Sequence, residues 1–549
     1  MQGLRKRGVE IVNHLKKEYF YQLKWLWILI SLSILLSAIP WDSYAEEKRV
    51  HEIIIADSKG DWGYPNPFRH YPRGPGYVRM SWVFDTLVWK DQNGFIPALA
   101  KTWAYDPQNK AFVFDLQEGV TWHDGTPFTA EDVAFTVQYY MKHPYQWVPM
   151  NAIANVNVMG PYRIKINLAK PFAPFLTYVG GTMPIIPKHI WENIDDPKKY
   201  DDPKAYIGTG PYRFIDFDKA KGTYLYEAFD PYYQGAPKVE RLIYIKTGSP
   251  LISLNTGKAD LANIEPEMAE ALQRKGTKVL KDARGWNKKL MINHRIEPFR
   301  QKEFRQALAY AIDQQELIDK SQQGFGSPAS YGLLSPDHEY YNPNTPKYPH
   351  DPEKARSILQ SMGYILGPTG IFEMNGKPLQ VELLASNITT AGSSVPDRDG
   401  EIMKQQLQAV GIQVDLINTE QTTADGRVKK WEFQLAISGH GGLLGDAMVL
   451  ERLIDPDTSA GSVNSARYSA DPKLLDLVRA QVKEMDEEKR KAMVYQCQEI
   501  YADEIPAIPL YYPDSMSAYN PKKGVNWYYT KGGLAIGIPI AQNKMALID

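Results

Sequence analysis

The chain has 549 residues, room for several domains, and its 43% hydrophobic and 23% charged residues are ordinary for a folded globular protein. Its formal net charge is −1, and residues 1–45 hold six basic side chains against three acidic ones, so the remainder is mildly acidic and nothing favours nucleic acid. Cys497 is the only cysteine, which excludes an intrachain disulfide and any cysteine-based metal cluster. It stands in the apolar-periodic run Met493–Ile500 and reads as a buried, inert thiol. Aromatic residues make up 12%, either as extra core packing or as a recognition surface of rigid rings.

Residues 1–24 are basic and polar, and Trp25–Ile39 is apolar and uncharged. Ser43-Tyr44-Ala45 fits a small-x-small cleavage site, so residues 1–45 read as a secretory signal peptide with the mature chain starting near Glu46. The rival is a membrane anchor, but this apolar run falls short of the ~20 residues that span a bilayer. With no cysteine near the cleavage site, a lipoprotein anchor is excluded and the periplasm is the expected compartment.

His51–Ala56 reads as a first strand, followed by an aromatic, glycine- and proline-rich loop over Asp57–Phe68. Met80–Lys90 reads as a helix. Phe112, Phe114 and Leu116 alternate with Val113 and Asp115 as a half-buried strand, and Val120–Trp122 begins a second short one. Thr129 caps a helix, with Asp132 three residues on as a near capping box and Val133, Val137 and Met141 along one face. His123 beside Asp124 is a turn pair and not a catalytic dyad, since adjacent side chains in a turn seldom converge. Tyr162–Leu168 is a further strand, and residues 211–247 alternate as several more.

Leu290–Asn293 reads as a buried strand. Phe304, Leu308 and Ile312 form a helical stripe whose continuation is capped by Asp313. Asp351-Pro352 opens a helix that Gly363 ends. Glu401–Val410 is another helix, stopped by Gly411 before a strand at Ile412–Ile417. Phe433–Ser438 is a strand, Ser438–Gly445 a glycine-rich loop, Asp471–Asp503 two helices divided near Asp486, and Ala507–Tyr512 a last strand. Alternation of helix and strand after residue 300 indicates α/β architecture.

The run L-A-x-x-W, then F-x-F-x-L-x-x-G-V-x-W-H-D-G-T-P-x-T-A-E-D-V, within Ala98–Thr136, is similar to the signature region of the family 5 extracellular solute-binding proteins. Further landmarks are Met183–His189, Ile207–Phe214, Asn255–Asn263 and the R-Q-A-L-A-x-A-I-D run at Arg305–Asp313. The resemblance implies a two-lobed periplasmic binding protein fold, type II-like and of the large three-domain class, with a hinge and an extra domain in the first lobe. It places the first lobe at 46–75, 208–292 and 507–549, the extra domain at 76–207, and the second lobe at 293–506. It implies a monomeric receptor that delivers its solute to the transmembrane subunits of an ABC permease, with no cofactor. Short peptides are the expected solute, with a nickel chelate or an oligosaccharide as alternatives.

No H-E-x-x-H, G-x-S-x-G or Walker loop occurs, and the ten histidines have no metal-ligand spacing. Gly208 and Gly210 suggest a phosphate loop, but no helix start or Lys-Ser/Thr follows. The residues therefore assign no catalytic group and no metal site, and a secreted hydrolase is the distant alternative. Loops at strand ends facing a hinge are the natural binding places. Three runs qualify: Trp62 and Tyr64 after the first strand; Trp286 and Asn287 before the crossing strand; and Ser438, Gly439, His440 and Gly441, with Asp446 beyond them. In peptide-binding members of the family, this last loop carries a Trp and, three residues on, an Asp that holds the peptide amino terminus. Here His440 and Leu443 stand in those places, so Asp446 becomes the expected anchor.

Overall fold

The computed structural model describes residues 49–386, 398–458 and 462–548; the segment read as a signal peptide lies outside them. Strand β1 (Val50–Asp57) runs through the aromatic loop into helix α1 (Gly74–Ser81). The helix expected over Met80–Lys90 ends at its start: Pro75 sets its first turn, and Val88–Lys90 is strand β2, paired with β3 (Phe95–Pro97). The signature stretch folds as a separate antiparallel sheet in the order β4-β5-β7-β6, from β4 (Ala100–Asp106), β5 (Ala111–Leu116), β6 (Ile153–Gly160) and β7 (Arg163–Leu168). Phe112, Phe114 and Leu116 are buried, as their alternation predicts. Helix α2 (Ala130–Lys142) begins with a complete Thr129–Asp132 capping box. Val133 and Val137 are fully buried, but Met141 at the last turn is exposed. Val120–Trp122 is no strand, only an isolated bridge from Thr121 to Pro127, because the turn at Asp124–Thr126 closes too soon for a ladder.

After the short helix α3 (Lys188–Trp191), the chain enters a seven-stranded sheet in the order β12-β22-β11-β1-β10-β9-β8. Its members besides β1 are β8 (Tyr212–Asp218), β9 (Thr223–Ala228), β10 (Val239–Lys246), β11 (Leu261–Ile264), β12 (Lys278–Lys281) and β22 (Met516–Tyr519). Strands β1 and β11 are parallel, so their carboxyl ends open on the same edge. Helix α4 (Pro250–Asn255) leads into β11, and Asp260 before β11 accepts from the Ile54 backbone N–H at 2.9 Å. Helix α5 (Ala269–Arg274) precedes β12.

The second lobe is built on a six-stranded sheet in the order β14-β21-β13-β20-β18-β19. In chain order its elements are β13 (Trp286–Ile292), helices α6 (Lys302–Ala311) and α7 (Gln314–Ser321), and β14 (Gly326–Pro328). Next come α8 (Pro352–Ser361), a small three-stranded sheet, β15 (Ile365–Leu366), β16 (Phe372–Met374) and β17 (Lys377–Pro378), then β18 (Gln380–Ala385) and α9 (Asp399–Ala409). The rest are β19 (Gln413–Asn418), α10 (Gln421–Lys430), β20 (Leu435–Gly441), α11 (Val449–Ile454), α12 (Pro472–Gln481), α13 (Glu487–Glu504) and β21 (Ala507–Pro513). Asp313, Asp351, Asp471 and Asp486 each accept backbone N–H groups at the helix starts their positions predict.

Strand β13 separates two cores. Leu290 and Ile292 join α6, α7 and α9 on one face, and Met291 joins α11, α12 and α13 on the other. Both sheet crossings differ from the expected domain boundaries. The chain leaves the first sheet at Lys281 and is already in the second at Trp286, ahead of 293; it returns after Pro513 instead of at 507. The reason is that β13 and β21 are hydrogen-bonded neighbours, so each enters the second sheet whole. Cys497 lies in the second core, and burial pushes its thiol up to about 12.

Candidate functional site in the cleft

A cavity of about 490 Å³ lies at the carboxyl ends of β1 and β11. It is walled by first-lobe residues, by Asp514–Ser517 of the returning chain and, from the second lobe, by Gln322, Gln323 and Phe325 after α7. Its size suits a small solute.

Asp57, the last residue of β1, organises the first-lobe wall. Its Oδ1 accepts from the Lys59 and Gly60 N–H groups at 2.8 and 3.2 Å, which turns the chain. Its Oδ2 accepts from Trp62 Nε1 and from Arg79 Nη2, each at 2.6 Å. Burial works against the carboxylate charge, but Arg79 and these donors outweigh it and hold the pKa below the ordinary value. Arg79 rests over the Tyr244 ring at 4.1 Å, and Tyr244 Oη donates to Gln542 Oε1 at 2.9 Å. Trp62 therefore sits on the cavity wall. Tyr64 does not: its ring packs edge-on against Phe217 at 5.3 Å under Arg69, outside the cavity lining. Glu265 and Glu267, just past β11, also face the cavity, and neither forms an ion pair among the described residues.

On the second lobe, Ser438–Gly441 are not a loop. They are the last residues of β20, paired with β13 in the register Trp286↔Gly441, Asn287↔His440, Lys288↔Gly439 and Lys289↔Ser438. Directly opposed residues share a face, so the expected group divides in two. Trp286, Gly439 and Gly441 take one face, where a Cβ at Gly439 would lie 2.0 Å from the indole; only glycine lets the ring lie down. Lys288, on this face, pairs with Asp399 at 3.4 Å.

Asn287, Lys289, Ser438 and His440 take the other face. Asn287 is 1% exposed, and among the described residues neither its Nδ2 nor its Oδ1 has a hydrogen-bond partner. His440 Nε2 is likewise buried and unpartnered. Lys289 is 2% exposed; its Nζ donates to the Asn464 carbonyl, and Ser438 Oγ donates to Asn464 Oδ1 at 3.2 Å. No carboxylate among the described residues pairs with Lys289, and burial lowers its pKa to about 7. Burial first, then Lys289 and Arg452, hold the His440 imidazole well below its ordinary value. Beyond them Arg452 on α11 donates to Tyr178 Oη at 3.4 Å, and Ala173 N–H donates to the Val482 carbonyl at 2.9 Å, so this side of the second lobe touches the extra domain.

Asp446 is engaged elsewhere. Arg490 on α13 grips both of its oxygens, one at 2.8 Å, and the Met448 N–H donates to Oδ1 at 2.7 Å. Burial opposes its charge, yet Arg490 holds its pKa below the ordinary value. The expected amino-terminal anchor is thus a buried brace between the β20–α11 loop and α13, because a guanidinium reaches both oxygens first.

The sequence reading missed Asp57, Arg79, Glu265 and Lys289. The signal for Lys289 was present: two adjacent lysines, Lys288 and Lys289, inside a strand that is otherwise apolar after Asn287. The turn residues Gly208 and His123 fall where their structural readings put them. A Cβ at Gly208 would strike the Val83 carbonyl oxygen, and His123 Nε2 bonds the Gly210 carbonyl at 2.8 Å.

Among known proteins, the family described as "Bacterial extracellular solute-binding proteins, family 5 Middle" matches residues 94–461. Heme-binding protein A of Haemophilus influenzae is 26% identical, over 80% of this chain and 83% of its own length. The dipeptide-binding protein of Escherichia coli is 26% identical, over 75% of this chain and 80% of its own. The solved structure of the ABC transporter substrate-binding protein CtaP from Listeria monocytogenes superposes with a TM-score of 0.75 at 22% identity, covering 90% of this chain and 99% of that one.

Proposed function

This chain belongs to the family 5 bacterial extracellular solute-binding proteins, the substrate-binding components of ABC importers, and from that premise we propose that it captures short peptides between its lobes. Relatives across the family are named as binding proteins, for dipeptides and for heme among others. Export by a cleaved signal peptide, work as a monomer in the periplasm and delivery to permease subunits complete the proposal. Among the described residues no helix is long and apolar enough to cross a membrane.

The observation that carries the peptide reading is charge of opposite sign on the two lobes, acidic at the cavity and basic on a strand face of the second lobe outside the cavity lining. Glu265 and Glu267 face the cavity from the first lobe, whereas Asn287, Lys289 and His440 stand at the start of β13 and the end of β20. Only four residues separate β12 from β13, so the start of β13 adjoins the first lobe. Pro539 lines the cavity and would lie 3.2 Å from a Cβ at Gly285, next to Trp286. A zwitterion with its amino terminus toward the glutamates complements this arrangement, since a buried ammonium needs an opposite charge. A solute enclosed between lobes gains contacts only in the closed form and so draws the protein into it.

Calorimetry with di- and tripeptide mixtures, beside native mass spectrometry of protein released by osmotic shock, tests this. Peptides should bind and N-acetylated ones should bind poorly, with Glu265→Gln narrowing that gap. Retention of a metal chelate or a saccharide, with no response to peptides, overturns the peptide reading.

A further inference from the structure

We propose that Lys289, Asn287 and His440 form a carboxylate-binding pocket on the second lobe, which takes the anionic end of the solute. The inference rests on the small-solute reading above and adds to it the chemistry of one subsite.

Three observations converge. The three side chains lie on one face of adjacent strands, with Asn287 directly opposite His440 and Lys289 opposite Ser438. The face carries unused hydrogen-bonding capacity: both polar atoms of Asn287 and Nε2 of His440 are buried without partners among the described residues. Native proteins rarely leave buried polar atoms unsatisfied, and several together mark a place where another molecule completes the bonding. The third observation is charge. Among the described residues Lys289 Nζ meets only the neutral Asn464 carbonyl, and Arg452 is the next cation beyond His440. By contrast, Lys288, one residue earlier and on the opposite face, has its carboxylate in Asp399. A missing negative charge beside amide and imidazole N–H donors describes a carboxylate.

The chemistry follows from the donor set. Lys289 supplies the cation, Asn287 Nδ2 donates to one oxygen, and His440 in its Nε2–H tautomer donates to the other. A carboxylate here also favours the protonated lysine, so ligand charge and Lys289 charge are bound together. Ser438 and Asn464 are positioning residues: their mutual bond at 3.2 Å and the Asn464 carbonyl fix the ammonium over the strand.

Sodium acetate is the minimal probe, compared with sodium chloride at equal ionic strength in thermal melts of the full chain. A ligand that binds the folded form raises Tm by mass action. The expected result is a saturable acetate-specific rise in wild type that is lost in Lys289→Met and in Asn287→Leu, each shown to fold by circular dichroism. Equal acetate responses in wild type and both variants, or none in wild type, overturn the pocket. A second arm uses dialanine and its C-terminal amide by calorimetry: Lys289→Met should weaken the free acid by at least about tenfold and change the amide little. If neither peptide binds wild type while the acetate response depends on Lys289, the peptide reading falls and the carboxylate pocket stands.

Discussion

Asp57 with Arg79 at the cavity of the first lobe and Lys289 with Asn287 on a buried strand face of the second are both buried polar groups, and the fold treats them in opposite ways. Asp57 has three N–H donors and a guanidinium, all supplied by residues close in sequence or on the adjoining helix. Among the described residues Lys289 Nζ has one carbonyl, and the Asn287 side chain has no partner. In the first arrangement the carboxylate is fully satisfied without a ligand and serves as scaffold, although Arg79 Nε has no partner among the described residues; in the second the amide and the ammonium lack an anionic partner. Asp446 with Arg490 belongs to the first kind despite its place after the glycine run.

The largest effect should come from breaking a completed pair. Arg79→Met strands Asp57 beside the cavity and should lower the free energy of unfolding by about 3–5 kcal/mol in urea titrations. A loss near zero would show that the N–H donors alone satisfy Asp57 and would erase the contrast. Lys289→Met should behave in the other direction, because it strands no opposite charge: without solute, stability at pH 6 should stay level or rise by about 1–4 kcal/mol.

The pH dependence sharpens this second outcome. With its pKa near 7 in the folded chain against 10.5 ordinarily, Lys289 gives up its proton on folding between those values. The unfolded chain then holds more protons, so wild-type stability rises with pH across that window. The advantage of Lys289→Met should be full below pH 7 and shrink toward pH 10. A constant gap would mean that the lysine titrates normally and its pocket is wet.

Smaller effects test the other parts of the cleft. Gly439→Ala must push the Trp286 indole aside and should cost about 1–3 kcal/mol, with a changed tryptophan environment in near-ultraviolet dichroism. Asp282, in the crossing between the sheets, is raised to about 9 by burial, with Asp337 adding to the rise, and its Oδ1 has no partner. The folded chain holds a proton there that the unfolded chain releases above 3.8, so stability falls as pH rises from that value. Asp282→Asn should therefore gain on the order of 1–2 kcal/mol at pH 7 and nothing near pH 3.

Local signals were legible in the sequence because their causes are local. The capping box at Thr129 and Asp132, the caps at Asp313, Asp351, Asp471 and Asp486, and the alternation through Phe112–Leu116 each need only neighbours along the chain. The signature motif around His123 pointed to the family by resemblance, because its run of residues is long and ordered along the chain. What the chain order alone did not decide was which distant group reaches a side chain first. Asp446 looked available until α13 brought Arg490 across a separation of 44 residues. Tyr64 looked like a pocket wall until Phe217 and Arg69 enclosed it. Ser438–Gly441 read as a loop, because glycines favour turns, yet the ladder with β13 holds them extended and sorts Asn287 and His440 onto one face, Trp286 onto the other. Strand register is a long-range property, fixed by pairing between residues about 150 apart in this case, so only the tertiary structure set the unpaired lysine, asparagine and histidine side by side.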